Sequence, residues 1–313
     1  MKAPQTIQLF YFLLVLTTSM VACKKEAAFQ PRSKDYELTI KDNTSDPVDH
    51  AIFQFYEATG MPLFYNDTIS REQVSVLDGV PQYTYQTLAI RYSLTGAYAG
   101  LSWTLLPNKE MLLPMLPFLK EKLLPQLTNV YPYPLSSLFI VSSSRLRSFG
   151  EITYARNNKP FPGFNSLMLI NVNPAEMSDS AQREYIADAL GIVTYKMLKP
   201  AYDKGLADEF DKVTRSTSAD PKIYFNMLTV LSPDGTRKLE DFSFLPAHFT
   251  SGLAAGWTPL RQADFLSYIE AVFYYNNNPT AHFETDFAAY PLIIKKYRMV
   301  QKMLKNVGFN IAD

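Results

Sequence analysis

Asp179-Ser180-Ala181-Gln182-Arg183-Glu184-Tyr185-Ile186-Ala187-Asp188-Ala189-Leu190-Gly191-Ile192-Val193-Thr194-Tyr195-Lys196-Met197-Leu198 carries an unbroken helical pattern. Ile186, Ala189, Leu190, Val193 and Met197 recur at the spacing that lines one helix face. Asp179 is placed to cap the helix, Gln182 completes a capping box, and Pro200 falls beyond its end. At about 100° per residue, Glu184, Asp188, Gly191 and Tyr195 fall nearly opposite the apolar stripe. They are therefore expected to look into a cleft.

The segments on either side complete the pattern. Ser137 to Ser142 and Ser166 to Val172 read as buried strands, with Asn157 to Gly163 as a loop between them. Upstream, Asp46 caps a helix with Pro47 in its first turn, Gly60 beyond its end, and Ile52, Phe53 and Tyr56 on its apolar face. Met61 to Tyr65 follows as a strand. Residues 68–108 are rich in Tyr, Thr and Gly, and one helical stretch is expected from Gln86 to Leu94. Lys109 to Leu127 has helical periodicity; Pro114 and Pro117 push its start to Leu116, and Pro125 kinks or ends it. Downstream, Ser232-Pro233-Asp234-Gly235 is a turn, and helices run from Gln262 to Tyr275 and from Phe287 to Val307. The sum is an α+β fold: a small mixed sheet packed against long helices, with a helical C-terminal part. Residues 42–313 are expected to form a single domain, with a division into 42–200 and 201–313 as the alternative.

Composition narrows the function. The chain has 313 residues, 47% hydrophobic and 19% charged, which fits a globular protein. Lys+Arg and Asp+Glu are both 30. A neutral chain without a basic cluster lacks the cation excess that nucleic-acid binding needs. Aromatic residues reach 14%, which serves either a packed core or a surface for peptide or glycan.

The N-terminus reads as an export signal. Lys2 gives a positive start, and Leu9 to Leu16 is an apolar run of signal-peptide length, broken by Thr17, Thr18 and Ser19. A membrane-spanning helix would need roughly 20 apolar residues. Met20-Val21-Ala22-Cys23 resembles the bacterial lipobox, so residues 1–22 are a leader and Cys23 is the lipidated first residue. Cys23 is the only cysteine, which excludes an internal disulfide. Two acyl chains plus an N-acyl group would hold it firmly, since each buried CH₂ contributes ~0.8 kcal/mol. Residues 23–41 are then anchor and tether. The protein is expected in the cell envelope as an outer-membrane lipoprotein, periplasmic or surface-facing.

From Asp46 to the C-terminus the order of elements resembles a family of zinc-binding metallopeptidase lipoproteins of bacterial envelopes. The Asp46-Pro47-Val48-Asp49 helix start, Gly60-Met61-Pro62-Leu63-Phe64-Tyr65-Asn66, and Lys122-Leu123-Leu124-Pro125 before the strand of Leu135 to Val141 carry this likeness. So do Gly163-Phe164-Asn165-Ser166-Leu167-Met168-Leu169-Ile170-Asn171-Val172-Asn173 before the long helix, and Gly256-Trp257 before Ala263-Asp264-Phe265. The resemblance implies a zincin-like domain with a cleft for a peptide, protein or glycan.

It also implies a His-Glu-x-x-His motif on the long helix, where two imidazoles at i and i+4 grip Zn²⁺ and the Glu acts on its water. The matching stretch here is Arg183 to Gly191, without a histidine. One register puts Glu184 and Asp188 on the ligand positions and Tyr185 on the base position; the other puts Arg183 and Ala187 on the ligand positions. The three histidines are His50, His248 and His282. There is no Gly-x-Ser-x-Gly elbow, no Gly-x-Gly-x-x-Gly and no P-loop. Glu240-Asp241 and Glu284/Asp286 are the acidic pairs that a glycosidase would use.

The expected function is a lipid-anchored, non-catalytic ligand-binding or scaffolding protein that has lost its zinc ligands and holds no cofactor. Trp103, Trp257, Tyr274 and Tyr275 are the aromatic ligand-binding candidates. One alternative is an active hydrolase using Glu184, Asp188 and His248, with zinc. Another is an accessory protein of envelope assembly or glycan uptake.

Overall fold

The computed structural model describes residues 40–88, 90, 101–127, 135–146, 159–163, 166–170, 172–246, 249 and 256–312. The leader, Cys23, the tether and His248 lie outside these residues, as does most of the expected helix from Gln86 to Leu94. Thr39 to Asp313 form one compact unit, and the chain is α+β, with small sheets among the helices. Among the described residues no helix is long and apolar enough to cross a membrane.

Helix α1 (Pro47–Thr59) begins and ends where the sequence places it. Asp46 accepts hydrogen bonds from the Val48 and Asp49 amides at 3.0 and 3.1 Å, and Lys109 pairs with the same carboxylate. Gly60 closes the helix at φ +67°, a left-handed conformation that costs glycine little. Its buried face is Val48, Ile52 and Phe55; the expected Phe53 and Tyr56 are only half-buried. The apolar stripe lies one residue round from the sequence reading.

β1 (Leu63–Phe64) leads to a two-stranded antiparallel hairpin, β2 (Thr68–Leu77) and β3 (Val80–Thr87). Gln86 and Thr87 are thus strand, not the start of a helix. After β4 (Leu101–Thr104) and a 3₁₀ turn at Lys109–Leu112 come α2 (Met115–Phe118), a wide π turn (Leu119–Leu123) and α3 (Leu124–Leu127). Pro125 therefore sits inside the last helical turn. A proline has no N–H for the i−4 carbonyl, and the widened turn lies immediately before it.

β5 (Ser137–Val141), β6 (Ser143–Leu146), β7 (Phe161–Pro162) and β8 (Ser166–Ile170) follow. β7 falls within the expected loop. The central sheet has order β1-β5-β8-β7, with β1, β5 and β8 parallel and β7 antiparallel. β5 and β8 are buried along their whole length, which is why both read as continuous apolar runs. Their alternation builds two cores. Leu138, Ile140, Leu167 and Leu169 face the large helical core. Phe139, Val141, Met168 and Ile170 face a smaller one with Leu88, Ile90, Leu101 and Phe161. Ser137 and Ser166 are register partners whose hydroxyls meet at 2.8 Å, so the buried polar atoms satisfy each other.

Helix α4 (Asp179–Tyr202) is the quoted stretch. Its cap is Ser178, whose hydroxyl accepts from the Ala181 amide at 3.2 Å, not Asp179. Gln182 turns back to the Pro174 and Met177 carbonyls instead of closing a capping box. Pro200 lies within the helix, which runs on to Tyr202. Tyr185 through Tyr195 are all buried, so the helix has no fully exposed face over this length, and Met197, on the expected stripe, is only half-buried. The reason is its position between the sheet and α7 (Arg261–Asn276), the helix it packs along. α4 itself runs through residue 200.

α5 (Asp208–Arg215) and α6 (Leu228–Leu231) precede α7, and α8 (Phe283–Asp286) and α9 (Pro291–Asn306) follow it. α9 starts four residues later than Phe287, with Pro291 in its first turn. A wholly buried ion pair joins these helices. The Lys296 ammonium lies 2.7 Å from Asp264, 2.9 Å from the Thr214 hydroxyl and 2.8 Å from the Ser243 carbonyl. It also sits 4.2 Å from the centre of the Phe210 ring. Burial lifts the Asp264 carboxyl to about 6 and pulls Lys296 down to about 8, while each partner's charge opposes the shift of the other.

Candidate functional site

A groove of ≈ 280 Å³ opens between the first half of α4 and the end of α7. α4 contributes Ser180, Glu184, Ala187 and Asp188; α7 contributes Glu270, Tyr274 and Tyr275. Lys159 and Phe249 come from loops, and Asp286 closes the rim from α8.

The helix geometry explains why these side chains converge. Glu184 and Asp188 are one turn apart and share a face. Gly191 continues that face, and an added Cβ would lie 2.4 Å from the Glu270 Cγ. The absence of a side chain there lets α7 approach and brings Glu270 into the groove wall. Asp188 and Glu270 are 6% and 4% exposed, so both carboxylates are largely withdrawn from water. Glu184 stands at the open side.

Lys159 is the cation of the site. Its ammonium lies 2.8 Å from one Asp188 oxygen, 3.0 Å from the other, and 3.5 Å from Glu184. Such a charge-assisted contact offsets much of the cost of burying Asp188. The described lining thus has four carboxylates, from Glu184, Asp188, Glu270 and Asp286, against one ammonium. An aromatic wall completes it. Tyr274 and Tyr275 meet edge to face at 5.4 Å, and Phe249 lies 6.0 and 6.3 Å from them. The Tyr275 hydroxyl donates to Asp286 at 2.8 Å. Burial first, and then that carboxylate, hold the Tyr275 phenol well above its ordinary value.

Four expected residues meet here: Glu184, Asp188, Tyr274 and Tyr275. Tyr185 does not. It points to the sheet, where its hydroxyl donates to the Ile170 carbonyl at 3.2 Å and accepts from the Ile170 amide at 2.9 Å. It serves as a clamp and has no access to the base position. Trp257 is also elsewhere, packed on Phe225 at 5.1 Å and bridged through its backbone to Met227. Trp103 is half-buried, edge-on to Phe139 at 5.8 Å. His50 pairs with Asp42 at 2.7 Å, and His282 is exposed just before α8; neither lines the groove. The acidic pairs diverge as well: Glu284 is taken by Arg298, and Asp241 accepts from the Lys238 amide.

Sequence reading missed Lys159, Glu270, Phe249 and Asp286 as partners in one site. Only the Gly191–Glu270 approach had a local signal, a glycine on the expected cleft face.

The described donor set does not fit zinc. Its two i,i+4 carboxylates close on an ammonium, and it supplies no imidazole. Among the described residues no three His, Cys, Asp or Glu side chains are grouped so as to hold a metal ion. No family model matches this chain, and no curated protein or solved structure matches it either.

Proposed function

We propose that this protein is a lipid-anchored component of the bacterial envelope whose metallopeptidase-like groove binds a cationic ligand without turning it over. The observation that carries the reading is Lys159 seated between Glu184 and Asp188. The groove's carboxylates grip an ammonium from the chain itself, and Glu270 and Asp286 add two further acidic side chains to the same lining. A basic side chain of a peptide, or an amino sugar, has the complementary charge, and Phe249, Tyr274 and Tyr275 offer ring faces for it.

The reading is tested by calorimetric titration of the protein with an arginine-rich tetrapeptide, with a chitosan oligosaccharide and with neutral counterparts of each. Binding of a cationic probe, weakened at least tenfold by Asp286→Asn, supports it. Equal affinity for charged and neutral probes, or none for any, overturns it. Zinc bound one-to-one and lost on Glu184→Ala would instead favour a hydrolase with unusual ligands.

A further inference from the structure

A second cavity borders the groove at Tyr275 and Ala281, the two residues that line both. It measures ≈ 510 Å³, within the roughly 300–1,000 Å³ of small-ligand sites. Its walls come from the end of α7 and the turn after it, from α8, from α9 and from residues 311–312.

These walls are fixed by their own contacts. The Asn276 side chain accepts from the Ala312 amide at 2.8 Å and donates to the Asn310 carbonyl at 3.4 Å, and Gln301 donates to the Ala312 carbonyl at 3.3 Å. The Phe283 and Tyr297 rings stack with centres 3.7 Å apart, and Tyr275 meets each of them edge-on.

Two polar tips in the lining are left over. Asn278 is 8% exposed and Tyr297 is 5% exposed. The Asn278 Oδ1 accepts from the Thr280 amide at 3.4 Å and from the Thr280 hydroxyl at 3.0 Å, which fixes Nδ2 as the other end of the side chain. Among the described residues, neither that Nδ2 nor the Tyr297 hydroxyl has a hydrogen-bond partner. The described polar atoms that are both sealed from water and unpartnered are Arg183 Nε and the Thr194 and Tyr202 hydroxyls. The tips of Asn278 and Tyr297 are therefore open, and the space they open on is the cavity they line. A polar group so far withdrawn from water, with no partner in the fold, takes one from outside it.

The lining selects the ligand. Its described residues include no lysine or arginine, and its single carboxylate, Glu284, is held by Arg298 in two contacts of 2.6 and 2.7 Å. Neither an anion nor a cation finds a free counter-charge among them. An apolar ligand would leave both tips desolvated and unpaired. An extended peptide pairs through a strand edge, and no strand is among the described elements that line this cavity. A hydroxyl donates and accepts at once, so the hydroxyls of a sugar can serve an amide N–H and a phenol together. Burial and the Glu284 charge hold the Tyr297 phenol above its ordinary value, so it stays neutral and can do both. We infer that the cavity between α7, α8 and α9 binds a neutral sugar unit, with Asn278 donating to its hydroxyls and Tyr297 pairing with them. The inference stands on this cavity alone and does not need a cationic ligand in the groove.

The test is a ligand-observed NMR titration of the protein with maltose, with cellobiose and with a blocked alanine dipeptide. The expected result is that a disaccharide binds at millimolar concentration and the dipeptide binds more weakly. Its affinity should fall at least fivefold with Tyr297→Phe, which keeps the ring on Phe283 and leaves the thermal melt unchanged. It should fall as far with Asn278→Asp, which keeps an acceptor for Thr280 and removes the N–H donor. Binding of neither disaccharide overturns the inference, as does an affinity unchanged in either variant. Tighter binding of the dipeptide overturns it in favour of a peptide subsite. A disaccharide that binds while no cationic probe does leaves this inference standing and removes the reading of the groove.

Discussion

Two lysines show opposite uses of a buried charge. Lys159 reaches into a groove from a loop, and its removal takes one positive charge from beside Asp188 and Glu184. Lys159→Met is therefore expected to tighten binding of a cationic probe severalfold, read by titration calorimetry, while lowering the melting temperature of the empty protein. Lys296 is sealed in the core with Asp264. Lys296→Met alone leaves a buried carboxylate without its cation and should cost about 3–5 kcal/mol in a denaturant titration, whereas Lys296→Met with Asp264→Leu should approach or exceed the wild type. The pH dependence follows from the same pair. The Asp264 carboxyl is raised from 3.8 to about 6, so the folded chain holds a proton that the unfolded chain has released, and stability falls as pH rises through that window. Lys296 is lowered from 10.5 to about 8, so the folded chain releases its proton first, and stability rises as pH rises through the higher window. Relative to the double variant, the wild type should be weakest between about 6 and 8, which thermal melts across pH will check.

Elements were legible where one physical cause dominated. α1 was readable because Asp46, Pro47 and Gly60 each act within a turn of their own position. The N-terminal carboxylate is held below its ordinary value by the Lys109 ammonium and by the Asp49 and Val48 amides. Its contribution is present above pH 3.8 and lost as pH falls through the lowered value. Asp46→Ala should thus lower the melting temperature at neutral pH, and the difference should vanish in strong acid. α4 was readable as a helix but not in its surroundings. A stripe opposite Glu184 predicts a half-exposed element, whereas α7 covers the other side as well. That covering depends on Gly191. Gly191→Ala should destabilise the fold by about 1–2 kcal/mol, the crowding against Glu270 outweighing the better helix propensity of alanine. The hairpin at 68–87 was not legible, because its apolar residues lie on both faces and so produce no alternation pointing to a core.

The molecule as a whole was legible at the level of its class. Short apolar strand runs set among long periodic helices point to a mixed α and β fold. Half of the groove was legible too, since Glu184 and Asp188 share a helix and their spacing fixes their direction. The other half comes from Lys159, Glu270, Asp286 and Phe249, which are brought together only by tertiary packing. No periodicity records that meeting. At this scale the anchor is the reading to examine: Cys23→Ser should move the protein from the membrane to the soluble fraction, and retention in the membrane fraction would remove the lipid from the account.

The unequal cores on the two sides of β5 and β8 have a kinetic consequence. A layer resting on a handful of side chains opens at lower free energy than one backed by most of the helices. In hydrogen–deuterium exchange the amides of β4 and β6 should label first, in a partial opening that leaves α4 and α7 protected. Labelling all of these at one rate would mean that the two layers come apart together.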